Sequence, residues 1–144
     1  MSAISELVRP SLFGKLNVSG VTNLAIGGVH YKLAPDGTSL GYVIFDRIPG
    51  SVDYALGNNL VGERDLWMVK ALSDEDAAKL LSMSPPQHCE AMLAACETAI
   101  GGTLTIAGKT VSIARRRNDI PPTFDDQSDR HVWQHGFLLD VYAD

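Results

Sequence analysis

The chain has 144 residues, of which 45% are hydrophobic and 20% charged, with a formal net charge of -5 and a sequence pI of about 5.2. These values indicate one globular domain spanning residues 1–144, and they exclude a disordered or fibrous chain. The acidic balance argues against a broad electrostatic surface for nucleic acid. No apolar run approaches the roughly 20 residues that a membrane span requires.

The N-terminal segment has no uninterrupted apolar stretch followed by a small-residue cleavage site, so we expect no secretory leader and a cytoplasm-like compartment. Residues 3–18 carry apolar side chains at a partly helical spacing that Pro10 interrupts, which predicts either one short helix or two pieces meeting near Pro10. A linker over 18–28 then leads to a short candidate strand at 29–35.

The centre of the chain predicts a long antiparallel hairpin. Two β-rich apolar runs, Tyr42 to Ile48 and Arg64 to Leu72, flank a polar connection punctuated by Gly and Asn. The first half of the first run is apolar on both faces, which is typical of a strand covered on both sides. Connections longer than about 12 residues in a small domain are usually functional, so we expect the segment from Pro49 to Glu63 to take part in function.

A helix with a proline interruption is predicted after the hairpin. Ser73 reads as its N-cap, Pro85-Pro86 stops or kinks it, and Gly101-Gly102 ends it. A second hairpin over 103–117, a polar loop over 118–129 and a final strand over about 130–142 follow. We therefore predict an α+β (mixed α/β) fold, with a single sheet flanked by an N-terminal helix and the central helix.

The cysteines and histidines do not form a predicted site. Cys89 and Cys96 lie two helical turns apart, about 10 Å along the axis, whereas a disulfide tolerates Cα separations up to about 7 Å, so both are predicted to be reduced core residues. On a strand, His131 and His135 lie about 13 Å apart, too far to share a metal ion. Since there is no nucleophile-elbow or phosphate-loop motif either, we predict no enzyme, cofactor or metal.

Three consecutive arginines, Arg115 to Arg117, end the second hairpin. They invite a nucleic-acid interpretation, but the net charge and six acidic residues within 119–144 favour ion pairing instead. Arginine suits bidentate pairing with carboxylates at an interface. Asp125, Asp126 and Asp129 are the candidate partners, supplied by a neighbouring copy.

Three stretches followed by a closing strand carry a family resemblance: HYKLAPDGTSLGYVIFDRIPGSVDYALG, ERDLWMVKALSDEDAAKLL and GGTLTIAGKTVSIARRR. Over residues 29–142 the chain resembles the phage tail terminator (tail completion) family of long-tailed phages. Tyr42 to Phe45 and Gly50-Ser51 match motifs of that family. Gly41 stands where proline is usual, and Pro85-Pro86 interrupts a helix that family members commonly keep whole.

The resemblance implies a structural virion protein. Such a protein forms a ring, most often of six copies, that caps the tail tube, ends its polymerisation and provides the surface on which the head-tail connector docks. Its partners are then further copies, the tail tube protein and the connector or stopper protein, at the neck end of the tail after assembly in the host cytoplasm. We expect DNA to pass without specific binding through a lumen lined by acidic or neutral side chains.

The predicted interface with the next subunit or the tube combines the hairpin connection, the arginine run and the acidic segment after it. It consists of Val52, Asp53, Tyr54, Leu56, Asn58, Asn59, Arg115, Arg116, Arg117, Asp125 and Asp126. Three other classes stay open. A neck or head-completion protein would bind the portal or adaptor, and a small enzyme or ligand-binding domain would show convergent polar residues in one pocket. A plain cytoplasmic interaction domain also stays open, because the fold does not fix the function.

Overall fold

A computed structural model describes residues 3–48, 63–106, 109–115, 120–125 and 132–143. The elements in chain order are α1 (Ala3–Leu16), α2 (Ser19–Thr22), β1 (Val29–Tyr31), β2 (Tyr42–Ile48), β3 (Glu63–Ser73), α3 (Glu75–Lys79), α4 (Pro85–Ile100), β4 (Thr103–Ile106), β5 (Lys109–Arg115), β6 (Ile120–Asp125) and β7 (Val132–Ala143). One sheet with helices packed on it confirms the predicted α+β class.

The described strands form one sheet in the order β1-β2-β3-β7-β5-β4, with β6 also paired to β7. β1 runs parallel to β2, and every other pairing is antiparallel. β2 and β3 pair from Tyr42 opposite Leu72 to Ile48 opposite Leu66, so the predicted hairpin arms are confirmed. Their connection, residues 49–62, lies outside the described residues.

β7 is the centre of the sheet. Along one edge it pairs with the whole of β3, while the other edge is shared by two strands. β5 pairs with the C-terminal part of β7, from Leu139 to Tyr142, and β6 pairs with its N-terminal part, from Val132 to Gly136. β7 therefore holds β3, β5 and β6, which come from three separate parts of the chain, along its two edges.

The hydrophobic core lies between one face of this sheet and the helices. α4 packs on β3 and β7, while α1 packs on β1 and β4. Side chains alternate between the faces of a strand, so every second residue of β2, β3 and β7 enters the core. The fully or nearly fully buried set is Val43, Phe45, Trp67, Val69, Ala71, Phe137, Leu139 and Val141 from these strands, with Val8, Leu12, Leu16, Met92, Cys96 and Ile100 from α1 and α4.

The buried side chains of α1, α2 and α4 belong to the core on one face of the sheet, and the other face carries a second set of apolar side chains. Ile44 is only 8% exposed here, and Ile48, Leu66, Met68 and Leu138 are half-buried. Lys70 lies among them, and burial lowers the pKa of its ammonium group. We call this surface, which also includes Asp140, the open sheet face.

Both cysteines are buried in α4 and free, as predicted. Burial raises the pKa of each thiol to about 12, and Glu90 adds to the shift at Cys89. A thiol whose ionised form is disfavoured to this degree is a poor nucleophile at neutral pH. The pair is therefore part of the core and not a redox site in the folded chain.

The start of the central helical region differs from the prediction. Asp74, not Ser73, caps α3: its carboxylate accepts from the Ala77 N–H at 2.8 Å. Pro85 and Pro86 do not interrupt a helix but begin α4, where Ser84 and Gln87 form a capping box. Proline is favoured in the first turn of a helix, since the N–H that it lacks has no partner there.

Three local predictions were also corrected or resolved. α1 is one helix with Pro10 inside it. The predicted linker contains α2, and the first strand ends at Tyr31, because Lys32 has a φ of +66° that no strand accommodates. The predicted polar loop contains β6, whose pairing is irregular between Ile120 and Thr123. The two prolines there lack N–H groups, which confines such a strand to irregular or edge pairing.

Candidate functional site

The predicted interface residues fall mostly outside the described part of the chain. Val52, Asp53, Tyr54, Leu56, Asn58, Asn59, Arg116, Arg117 and Asp126 all lie there. Arg115 ends β5 opposite Leu139, and Asp125 ends β6 opposite Val132. The seven positions between Leu139 and Val132 span about 23 Å on an extended strand, so β7 holds Arg115 and Asp125 apart within one subunit.

His135 lies half-buried on β7, and His131 lies outside the described residues. Nδ1 of His135 and Nε1 of Trp67 are buried without a hydrogen-bond partner among the described atoms. Within the described ranges, no three or more His, Cys, Asp and Glu side chains are arranged to hold a metal ion. None of the described helices is both long and apolar enough to cross a membrane.

A buried polar network joins three elements near the start of β2. A 2.7 Å hydrogen bond joins Ser73 Oγ and His88 Nδ1, and His88 Nε2 donates to the Leu24 carbonyl at 2.8 Å. Ser73 Oγ can also donate to the Asp74 carbonyl at 3.3 Å. The carbonyl can only accept, so Nε2 carries a proton. Both side chains are fully buried. The buried serine and histidine therefore tie β3 and α4 to the segment that follows α2.

Gly41 explains one departure from the resembled family. Its φ is +84°, which proline cannot adopt, and its N–H donates to the Leu72 carbonyl at 3.1 Å, which proline could not do. A Cβ at this position would lie 3.0 Å from Cε1 of His88. The positive φ and the close approach of the buried histidine therefore both favour glycine at this position.

The described surface contains a cleft of about 830 Å³ at the N-terminal end of β7. It is lined by residues 37–40 before β2, residues 74–77 at the start of α3, Leu80, Phe124 of β6 and Trp133 of β7. We call it the α3–β6 cleft. Sequence reasoning missed it, because the segments come from three distant parts of the chain and one of them was predicted to be a loop.

The floor of the α3–β6 cleft is aromatic and aliphatic. The rings of Phe124 and Trp133 pack with centroids 5.0 Å apart at 44°. Phe124 is 46% exposed and Leu80 is 74% exposed, although both are large apolar side chains. The rim carries the carboxylates of Glu75 and Asp76, which are also exposed. Apolar side chains left open in a concave surface are typical of a binding site.

Comparisons with known proteins show a shared fold. No family model matches the chain, and no curated protein matches it. Among solved structures, it is similar to a chain in the virion of a native gene transfer agent particle, with a TM-score of 0.61 and 13% identity over 99% of this chain and 98% of that one. A second solved chain is similar over 97% of this chain and 96% of its own length, with a TM-score of 0.56 and 13% identity. At these identities the likeness shows the fold alone.

Proposed function

We propose that the chain is a structural protein of a phage or phage-like virion and acts there as a tail terminator. The observation that carries this proposal is the near full-length likeness in fold to a chain of a gene transfer agent virion. The motif resemblance over residues 29–142 supports it independently, because that resemblance is to the tail terminator family and rests on sequence alone.

In this role the chain forms a ring, proposed to contain six copies, that caps the tail tube, ends its polymerisation and presents a surface to the head-tail connector. A closed ring needs heterologous contacts, in which two different surfaces of each subunit meet. The arginine run after β5 and the exposed apolar cleft beside β6 are two such unlike surfaces. We assign the hairpin connection, including Val52, Tyr54 and Asn58, to contact with the next subunit or the tube.

DNA is proposed to pass through the ring without sequence-specific binding. The net charge of -5 supports a lumen lined by acidic or neutral side chains, which repel phosphate and let the duplex slide. No catalytic step is proposed. The assembled protein would lie in the virion at the neck end of the tail, and in the host cytoplasm before that.

The test is light scattering after size exclusion on the concentrated protein, alone and mixed with tail tube subunits, followed by negative-stain imaging. We expect a ring of about six copies, either alone or only with the tube protein. A monomer that ignores the tube protein would overturn the terminator role. Binding to portal or adaptor protein would then favour a neck protein. The likeness in fold is to a chain of a virion particle, and it does not distinguish a tail terminator from a neck protein within such a particle.

Charge reversal at Arg116 tests the arginine run directly. Arg116→Glu should weaken ring formation, because it replaces an attractive charge at the proposed contact by a repulsive one. Arg9→Glu is the matched control, since Arg9 is exposed on α1, and it should leave assembly unchanged. Normal ring and tail assembly by the Arg116 variant would remove the arginine run from the interface.

A further inference from the structure

We propose that the α3–β6 cleft receives the Arg115–Arg117 segment of a neighbouring copy, so that this contact closes the ring. The inference rests on the proposed function, because it assumes that copies associate head to tail. It adds to that function the receiving surface, which consists of Glu75, Asp76, Leu80, Phe124 and Trp133.

The shape and chemistry of the cleft fit a guanidinium group. Phe124 is 46% exposed and its ring packs against that of the half-buried Trp133, and Arg stacks on aromatic rings through cation–π attraction. Glu75 and Asp76 are exposed and line the cleft, and a carboxylate can bind the planar guanidinium by two parallel hydrogen bonds. Stacking and bidentate pairing together distinguish arginine from lysine as the occupant.

The charge of the cleft is available to an incoming group. Asp74 is engaged as the cap of α3, where its carboxylate accepts from the Ala77 N–H. Glu75 and Asp76 are exposed instead, and within the described residues no hydrogen bond or ion pair of their carboxylates is found. Lys79 lies one turn further along α3 and offsets one of the three negative charges, which leaves this end of α3 at a formal -2.

The chain itself supplies a complementary segment. Of its 12 lysines and arginines, only Arg115, Arg116 and Arg117 are adjacent to one another in sequence. A run of this kind provides several guanidinium groups to one acidic and aromatic site. The two features have opposite charge and lie on one chain, as a head-to-tail contact between identical copies requires.

The positions of the two features favour contact between copies. Arg115 stands opposite Leu139 of β7, whereas the cleft contains Trp133 of the same strand. Six residues of extended strand separate Leu139 from Trp133 by about 20 Å, so the backbone of Arg115 lies well away from the cleft of its own chain. A subunit that carries the cleft and the arginine segment at separate places can present the cleft to one neighbour and the arginine segment to the other.

Mixing two charge-reversed variants tests this contact. In E75K/D76K the cleft becomes basic, and in R116E/R117E the arginine segment becomes acidic. Each variant alone should associate at least about tenfold more weakly than the parent, because like charges meet at every contact. A mixture of the two should form rings again, since every contact in an alternating ring then joins opposite charges. Light scattering and negative-stain imaging with tail tube subunits give the readout.

Matched controls separate this contact from general effects of charge and folding. Glu90→Gln/Glu97→Gln removes two exposed carboxylates from α4 and should assemble like the parent, whereas Glu75→Gln/Asp76→Asn should not. Circular dichroism melts of each variant check that it folds. If rings form only when the two folded variants are mixed, a folding defect cannot be the cause, because mixing does not refold either chain.

The outcomes distinguish the two proposals. If the parent forms rings and the cleft variants also do so, the cleft proposal is overturned and the terminator role stands. If recovery requires all four changes in one chain and mixing does nothing, the contact lies within a subunit and the cleft proposal is overturned. If the parent forms no ring with or without tube protein, the proposed function itself fails, and the contact between copies fails with it.

Discussion

Ser73 and His88 lie fifteen positions apart in sequence, and a 2.7 Å hydrogen bond joins the Ser73 hydroxyl to Nδ1 of the His88 imidazole. This contact joins the end of β3 to the first turn of α4, while His88 Nε2 holds the Leu24 carbonyl after α2. A buried network of this kind stabilises only if every member has its partner. The stability of the fold should therefore respond strongly to either residue.

Ser73→Ala should destabilise the chain by about 1–3 kcal/mol, because it leaves Nδ1 of a fully buried imidazole without a hydrogen bond. Urea unfolding followed by Trp fluorescence measures the change. Ser19→Ala is the control, since Ser19 is exposed and should shift stability by less than about 0.5 kcal/mol. If both substitutions lower the free energy of unfolding by the same amount, the Ser73–His88 network makes no specific contribution to stability.

Gly41→Ala should cost more than Gly37→Ala. The two glycines have nearly the same φ, +84° and +82°, so both substitutions carry the same backbone strain of about 1 kcal/mol. A Cβ at Gly41 also lies 3.0 Å from His88 Cε1, whereas one at Gly37 meets nothing within 4 Å. The difference between their free energies of unfolding, which we expect to be about 1–3 kcal/mol, measures the close approach to His88.

The two buried thiols should make stability fall at alkaline pH. In the folded chain the pKa of Cys89 and of Cys96 is raised to about 12, while unfolded thiols ionise near 9.0. Between these values the folded state binds more protons than the unfolded state, so the free energy of unfolding decreases as the pH rises. Urea unfolding at pH 8 and pH 10 checks the sign, and C89A/C96A should show a shallower decline.

The thiols should also react with a disulfide reagent only after unfolding. Burial keeps them protonated and inaccessible at neutral pH, and the thiolate is the reactive form. We expect no labelling of native protein over the time in which urea-unfolded protein reacts fully. Rapid labelling of native Cys96 would contradict the placement of α4 on the sheet.

Lys70→Met should raise the urea midpoint of the isolated subunit. Burial lowers the pKa of Lys70 on the open sheet face, which means that the folded state disfavours its charge. A methionine removes that charge and adds apolar contact with the half-buried side chains around it. Lys79→Met on exposed α3 is the control, and it should leave the midpoint unchanged. A lower midpoint for the Lys70 variant would point to an ion pair that the lysine stabilises.

Much of the fold could be predicted because its signals are local. The apolar runs Tyr42–Ile48 and 64–72 depend only on neighbouring side chains, and they predicted both arms of the hairpin. Gly101, at a φ of +67°, ends α4 as a C-terminal glycine does. Each of these features is determined within a few residues, so the sequence alone was sufficient for them.

Other features were decided by tertiary contacts. Ser73 and Asp74 are both good caps, and Asp74 takes the role because Ser73 Oγ is bound to His88 in the core. A proline pair marks a helix boundary, but the helix can lie before or after the prolines. The capping box at Ser84 begins a helix, so the helix lies after them. The choice of Asp74 depends on His88, which is distant in sequence, whereas Ser84 and Gln87 are neighbours of the prolines and their spacing marks the helix start in the sequence itself.

The candidate site follows the same division. The arginine run could be read directly from the sequence, whereas the α3–β6 cleft could not. Its residues come from 37–40, 74–80, Phe124 and Trp133, and only the pairing of β6 and β3 with β7 brings them together. A strand with two prolines lacks the alternating signal of a sheet strand, and it becomes one because β7 offers it a free edge. The sequence by itself determined which charged residues the chain carries. The sheet decided where these residues lie, because the pairing of distant strands exists only in the folded chain.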